Sequence, residues 1–278
     1  MRLAIPLLLL LAACSPPVRQ GGIVSTNPCA DAILVRLVAP DRIAALSHYS
    51  HDPSSTSLPL SVARRFPATG GTAEEVIALR PELILTSTFT PAATRAAYAK
   101  AGLRTLVLDS PTTVAASKRQ VMQIADAVSA RSRGEAMVQV IDQSLLPRRK
   151  PGSSYDPLAT GPRPSPGGED SDPSALLFIA GDLANGSGTL LDDLLRRAGF
   201  RNAATDYGLT YTGTIPIETL AASPPDVIIA SGDGRTADLR RKLMPDTPQA
   251  SFDRRLVNCG GPSIPPALAR LRAIRASL

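Results

Sequence analysis

Glu74-Glu75-Val76-Ile77-Ala78-Leu79-Arg80-Pro81-Glu82-Leu83-Ile84-Leu85-Thr86-Ser87 returns without a gap as Glu218-Thr219-Leu220-Ala221-Ala222-Ser223-Pro224-Pro225-Asp226-Val227-Ile228-Ile229-Ala230-Ser231. Glu meets Glu, Ala meets Ala, Pro meets Pro, an acid meets an acid, an apolar triplet meets an apolar triplet, and Ser meets Ser. Each copy reads as a short helix, a Pro-acid turn that stops it, and a buried strand. Any helix–strand unit carries some of this pattern. The alternative is two similar lobes, one on each side of a helical stretch near residues 112–146. Lobes so arranged leave a cleft between them, where ligands are commonly held.

Working outward, strand and helix patterns alternate, which predicts parallel α/β layers. Strands are expected at 23–25, 42–46, 83–86 and 103–108, and helices at 31–38, 72–79 and 91–101. Residues 112–146 read as helical, with a break expected at Ser132-Arg133-Gly134, and Pro147 ends the run. Residues 150–173 are dense in Pro, Gly, Ser and Asp and bury too little to order themselves, so they read as a flexible linker. Strands are then expected at 175–179, 227–230 and 255–258, and helices at 190–198, 217–222 and 265–277. The implied domains are an N-terminal α/β lobe (22–131), an interlobe helix (132–149), the linker (150–173) and a C-terminal α/β lobe (174–278).

The first residues carry a separate signal. Arg2 precedes the apolar run 3–11, and Leu11-Ala12-Ala13-Cys14 places small residues before a cysteine. Spanning a bilayer takes roughly 20 apolar residues, so this run reads as a secretory signal peptide, residues 1–13, rather than a transmembrane helix. Leu-Ala-Ala-Cys resembles the bacterial lipobox, whose cysteine becomes an acylated N-terminus. Cys14 would then be the lipidation site and 14–21 a membrane tether; the other reading is an ordinary signal cut near Ala13. Composition allows a real core: 44% of residues are hydrophobic, but only 4% are aromatic and none is Trp, so aliphatic side chains must fill it. The net charge is +6, with basic residues scattered among acids, which gives no nucleic-acid signature.

The order of these elements resembles the periplasmic binding proteins for cobalamin and ferric siderophores. The resemblance runs through Ile23-Val24-Ser25-Thr26-Asn27-Pro28, Arg42 to Ser47, Thr72 to Leu85, Gly188 to Phe200 and Glu218 to Ile229. It implies two Rossmann-like α/β lobes joined by a long rigid helix, with the ligand cleft between them. It also implies a non-enzymatic monomer that delivers a small-molecule metal chelate to an ABC transporter permease and its ATPase. There would be no resident cofactor, the cobalt or iron travelling with the cargo. The protein would act in the periplasm, held to the membrane by the acylated cysteine. One glutamate per lobe, Glu74 and Glu218 by position, would dock with the permease. Thr72-x-x-Glu75 reads as a capping box, which occupies Glu75 and leaves Glu74 facing outward.

Parallel α/β lobes hold ligands beyond the carboxyl ends of their strands. That rule nominates residues 27–30, 47–51, 87–90, 182–187, 231–233 and 259–263. Asn27, Cys29, His48, Tyr49, Ser87, Thr88, Phe89, Asn185 and Cys259 are the expected ligand-binding residues there, and Tyr207 and Tyr211 sit in a polar loop suited to covering the cargo. The cysteines allow three readings: a disulfide between Cys29 and Cys259, two separate buried thiols, or a soft-metal site of Cys29, Cys259 and His48. An exported α/β enzyme and a non-transport surface lipoprotein are the rivals. Against the enzyme, the chain has no Gly-x-Ser-x-Gly, phosphate-binding loop or His-Glu-x-x-His. The Gly181 to Gly188 segment lacks the Lys-Ser/Thr ending of a phosphate loop.

Overall fold

The computed structural model describes residues 21–146, 172–232 and 235–278. The expected signal peptide, Cys14 and its tether up to residue 20, linker residues 150–171 and Asp233 lie outside the described residues.

The N-terminal lobe comprises β1 (Ile23–Ser25), α1 (Pro28–Leu37), β2 (Ile43–Ser47), α2 (Leu60–Ala63), β3 (Ala68–Thr69), α3 (Ala73–Ala78), β4 (Leu83–Ser87), α4 (Ala92–Lys100) and β5 (Thr105–Leu108). Its sheet runs in the order β3-β2-β1-β4-β5, and every pairing is parallel. Parallel strands covered on both faces read as apolar runs, and all of β1 and β2 is buried. Ile23, Leu46 and Leu85 face the core under α1, while Val24, Ala45 and Ile84 face the one that holds Val76 and Tyr98. Helix α1 starts three residues before the expected 31 because its first turn is provided for. The Asn27 side chain accepts from the Cys29 and Ala30 amides, and Pro28 occupies a position that needs no amide partner.

Two helices join the lobes, α5 (Val114–Ala127) and α6 (Arg131–Leu145). Val114 of α5 and Ile141 of α6 belong to the C-lobe core, whereas Val121 and Ile124 of α5 belong to the N-lobe core, against which Met137 of α6 packs. Each helix therefore has one end in each lobe, and α6 is the expected interlobe helix with α5 packed beside it. The break lies at 128–130 rather than at Ser132-Arg133-Gly134. Gly134 is a contact residue inside α6: a Cβ there would stand 2.5 Å from the Ala125 Cβ. The glycine lets two helices approach; it does not end one.

The C-terminal lobe comprises β6 (Ser174–Ala180), β7 (Leu183–Asn185), α7 (Leu190–Arg197), β8 (Arg201–Asn202), β9 (Thr212–Thr214), α8 (Ile217–Ala222), β10 (Val227–Ala230), α9 (Arg235–Leu243), β11 (Gln249–Ser251) and α10 (Ile264–Ala276). The sheet order is β11-β10-β6-β7-β9, with β8 beside β6. The pairs β6–β7 and β7–β9 are antiparallel, and the others are parallel. The repeated segments become α3–β4 and α8–β10, with Glu74 and Glu218 each the second residue of a six-residue helix. The strand expected at 255–258 is instead a 3-10 turn at Arg254–Leu256. The Asp253 carboxylate accepts from the Arg255 amide at 2.9 Å and holds its guanidinium, which turns the backbone there. The strand itself lies earlier, at β11.

Candidate ligand-binding cleft

The lobes face each other across a cavity of about 690 Å³, within the roughly 300–1,000 Å³ usual for a ligand pocket. The N-lobe wall is built at the carboxyl ends of its strands: residues 26–29 after β1, His48 and Tyr49 after β2, Gly70 and Gly71 after β3, Ser87 and 89–91 at β4, and 109–111 after β5. The C-lobe wall is Ile179 of β6, Asn185 of β7, Thr212 of β9 and residues 189–191 at the start of α7. Gln120 of α5 and residues 257–260 close the junction. Of the expected residues, Asn27, Cys29, His48, Tyr49, Ser87, Phe89, Asn185 and Cys259 line the cavity.

Three do not. Thr88 donates its hydroxyl to Asp109 at 3.2 Å, and it is Asp109 that reaches the wall. Tyr207 donates its hydroxyl to the Ser223 carbonyl at 2.6 Å, which ties it to the end of α8. Tyr211 is 67% exposed, with φ 66°, beside wall residue Thr212. Its backbone lies so close to Gly186 that any Cβ there would overlap the Tyr211 carbonyl. The range 231–233 also misses the cleft, since Ser231 and Gly232 line a smaller cavity of the C-lobe.

The aromatic groups gather on the N-lobe side. The His48 and Tyr49 rings are 4.0 Å apart, Tyr49 is 50% exposed and Phe89 is 79% exposed. His48 Nδ1 lies 3.2 Å from the Thr69 carbonyl. A carbonyl only accepts, so Nδ1 is the donor there, which in the neutral ring leaves the lone pair on Nε2. The turn carrying both rings is held from beneath by Asp31, whose Oδ2 accepts from the Ser47 amide at 3.0 Å and the Ser50 hydroxyl at 2.6 Å. Complete burial pushes the Asp31 carboxyl up to about 7, although hydrogen bonds from Ser25, Ser50 and Ser47 pull the other way. The sequence signal for Asp31 was an acid inside the apolar run of α1.

Polar groups of the wall are largely spoken for. Thr26, Thr86 and Thr90 form a hydroxyl chain with steps of 3.0 and 2.7 Å. Asn185 accepts from Thr189 at 2.8 Å and is 2% exposed, so it shapes the wall and offers little to a ligand. Gln120 donates to the Asp109 carbonyl. Among the described lining residues there is no Lys or Arg, and Asp109 is the one carboxylate.

Cys29 and Cys259 are joined as a disulfide, with 5.1 Å between their Cα atoms, inside the usual range. It ties the first turn of α1 to the segment before α10, on the edge of the cleft. The soft-metal reading of Cys29, Cys259 and His48 is thereby corrected: both sulfurs are spent on each other, and His48 alone of the three keeps a free donor. The separate-thiol reading falls with it. No cluster of three or more His, Cys, Asp or Glu suited to a metal exists among the described residues.

The family model for periplasmic binding proteins matches residues 23–250. The chain belongs to that family. A periplasmic binding protein of this kind is the non-enzymatic substrate-binding component of an ABC importer. Solved structures share its fold. The apo periplasmic heme-binding protein RhuT from Roseiflexus sp. RS-1 matches at TM-score 0.68 and 19% identity, over 93% of this chain and 97% of that one. The periplasmic heme-binding protein HutB of Vibrio cholerae matches at 0.69 and 17%, over 93% and 98%. The periplasmic vitamin B12 binding protein BtuF of Vibrio cholerae matches at 0.64 and 15%, over 94% and 98%. No curated protein sequence matches. No helix among the described residues is long and apolar enough to cross a membrane.

The binding-protein cleft also includes residues that sequence reasoning did not reach: Gly70, Gly71, Asp109, Gln120, Thr189, Leu190 and Thr212. Asp109 follows β5 and was open to the strand-end rule. Gly70 and Gly71 follow a two-residue strand and Thr212 lies on a three-residue one, too short to leave a pattern, while Gln120, Thr189 and Leu190 lie on or cap helices whose face toward the cleft is set by packing.

Proposed function

We propose that this binding protein captures a cobalamin-type or ferric-siderophore-type metal chelate between its lobes and passes it to an ABC permease. The observation that carries the reading is the lining of the cleft: exposed aromatic faces on one wall, aliphatic side chains with hydroxyls and amides elsewhere, and no cationic side chain among the described lining residues. Aromatic faces suit a large flat or rounded chelate. A wall without Lys or Arg suits one with little net negative charge, which favours the cobalamin type. Proteins named for binding heme and vitamin B12 share the fold, in keeping with a macrocyclic cargo. A second reading, a haem-type cargo, is favoured by His48 and Tyr49, since a free imidazole Nε2 or a phenolate can ligate its iron. Calorimetric and spectral titration with cyanocobalamin, hemin and ferric hydroxamate siderophores separates the readings. One-to-one binding of cyanocobalamin or a siderophore supports the first. Hemin binding whose absorption bands change in His48→Ala or Tyr49→Phe supports the second, and no binding of any of them overturns both.

Two further assignments belong to this reading. Glu74 and Glu218 are exposed on matching helices of the two lobes, without a side-chain hydrogen-bond or ion-pair partner among the described residues, and would meet cationic side chains of the permease. Glu74→Lys or Glu218→Lys is expected to impair uptake while leaving cargo affinity unchanged; an equal loss of affinity would refute the role. Cys14 would carry the lipid anchor, which predicts palmitate labelling that Cys14→Ser abolishes.

A further inference from the structure

Arg240 is the described residue that the fold explains least. It is 3% exposed in α9, packed where a helix of this kind would place an apolar side chain. A guanidinium keeps its charge in a protein, and a charge taken out of water needs a counter-charge or a full set of hydrogen bonds. Arg240 has one carbonyl, that of Gly181, at 2.9 Å from Nη1, and the nearby Asp182 charge acts for it while that of Arg241 acts against it. It also lies over the Phe178 ring, with its guanidinium carbon 4.2 Å from the centroid. Its Nε is buried without a hydrogen-bond partner among the described residues.

Arg240 lines a cavity of about 80 Å³ beyond the carboxyl ends of β6 and β10. Arg254 joins it from the turn before Cys259, and Arg235 and Thr236 join it from the first turn of α9. The first amides of a helix have no partner within it and mark the positive end of its dipole. Three guanidiniums and one helix start thus border a space sized for a small group, and no acid is among its described lining residues. The charge of Arg254 is also felt by Asp52 of the other lobe, which is not part of the lining.

We propose that this cavity is an anion site, holding one group of phosphate, sulfate or carboxylate size against Arg240, Arg254 and Arg235. Guanidinium forks match such oxygens, and charge-assisted bonds of this kind are the strong ones. The anion completes the hydrogen bonding of Arg240, which the described residues leave unfinished. Two sources supply that chemistry: a free oxyanion of the compartment, or an anionic arm of the cargo. Phe178 of this cavity and Ile179 of the cleft are successive on β6 and so face opposite sides of the sheet, but both cavities lie at its carboxyl end, and Arg254 stands three residues before Val257 of the cleft. An acidic arm that finds no cation in the main cleft finds three here.

The test is calorimetric titration of the purified full-length protein with inorganic phosphate, at constant ionic strength set by chloride. One saturable site that sulfate competes for is expected. Arg240→Gln removes a buried group and risks the fold, so Arg254→Gln and Arg235→Gln carry the decision. Each should weaken phosphate roughly tenfold or more while the melting temperature stays near that of the parent. The proposal is overturned if neither phosphate nor sulfate binds at about 10 mM, or if both variants bind as the parent does. Repeating the titration with hemin, a dicarboxylate, or with cyanocobalamin identifies the source. Phosphate displaced by hemin assigns the site to a cargo arm, and phosphate retained beside both assigns it to a free oxyanion.

Discussion

The sheet of each lobe has one half that repeats and one half that does not. In the N-terminal lobe, β1, β4 and β5 lie side by side and parallel; in the C-terminal lobe, β6, β10 and β11 take the same places. Across the first strand the lobes part. β1 is flanked by parallel β2 and β3, whereas β6 is flanked by the two-residue parallel β8 at its start and by the antiparallel run β7 and β9 beyond it. Strand ends that correspond also differ in use. Residues after β4 reach the cleft, while those after β10 border the arginine cavity. The repeated half supplies the frame and equivalent sites for the two exposed glutamates. The divergent half supplies unlike parts of the two walls, His48 and Tyr49 after β2 on one and Asn185, Thr189, Leu190, Leu191 and Thr212 on the other.

The largest test of this comparison asks whether two such lobes behave as one body. The disulfide closes a separation of 230 residues between them. Replacing Cys29 and Cys259 by Ser should lower the unfolding free energy by about 4 kcal/mol, read by urea denaturation. An unchanged midpoint would mean that α5 and α6 hold the lobes together unaided.

A second test compares the buried acids in the first turns of α1 and α7. Asp192 is 2% exposed and is met by Arg196 at 2.9 Å, the Gly188 amide at 3.0 Å and the Asn202 amide at 3.1 Å. Asp31 has hydroxyl and amide partners and no cation, and its carboxyl sits at about 7 instead of 3.8. Between those values the folded state binds the extra proton. Its contribution to stability is therefore complete below the unfolded value and lost as pH rises through the folded one. Between about pH 5 and pH 8, wild-type protein should lose roughly 2–3 kcal/mol more stability than Asp31→Asn. Parallel pH profiles would break the contrast. In the C-lobe, Asp192→Ala should cost about 1–3 kcal/mol by taking the acceptor from the Gly188 amide and one of three acceptors from Asn202, measured by denaturation at one pH.

The smallest effect sits inside the repeat. Arg80 leaves α3 with φ 47°, a left-handed conformation, where the second copy has Pro224, whose ring forbids it. Arg80→Gly should stabilise the protein by about 1 kcal/mol, seen as a small rise in melting temperature. No rise would mean that the Arg80 side chain repays the strain.

Much of the frame was legible because it is local. Apolar runs such as Leu83-Ile84-Leu85 and Val227-Ile228-Ile229 announce strands buried on both faces, and Thr72, Thr113 and Thr189 sit where helix caps were needed. The capping box at α3 was half right. Thr72 accepts from the Glu75 amide at 3.3 Å, but the Glu75 carboxylate turns to the Gly70 amide at 2.8 Å. Elements that were not legible lack an apolar period: β7 and β9 are three residues each, and α9 buries Ala237 and Arg240 rather than an apolar face.

The same division holds for function. Sequence alone determined the alternation of helices and strands, the repeat, the equivalent glutamates and eight residues of the cleft wall, because period, caps and strand ends act over a few positions. Tertiary structure decided that Cys29 and Cys259 share a bond, that Gly134 is a helix contact, that Tyr207 serves its own lobe and that Arg240 is buried beside two more arginines. Those outcomes depend on which surfaces meet after folding. Residues far apart in the chain become neighbours only when packing has brought both lobes together, and no local pattern records that meeting.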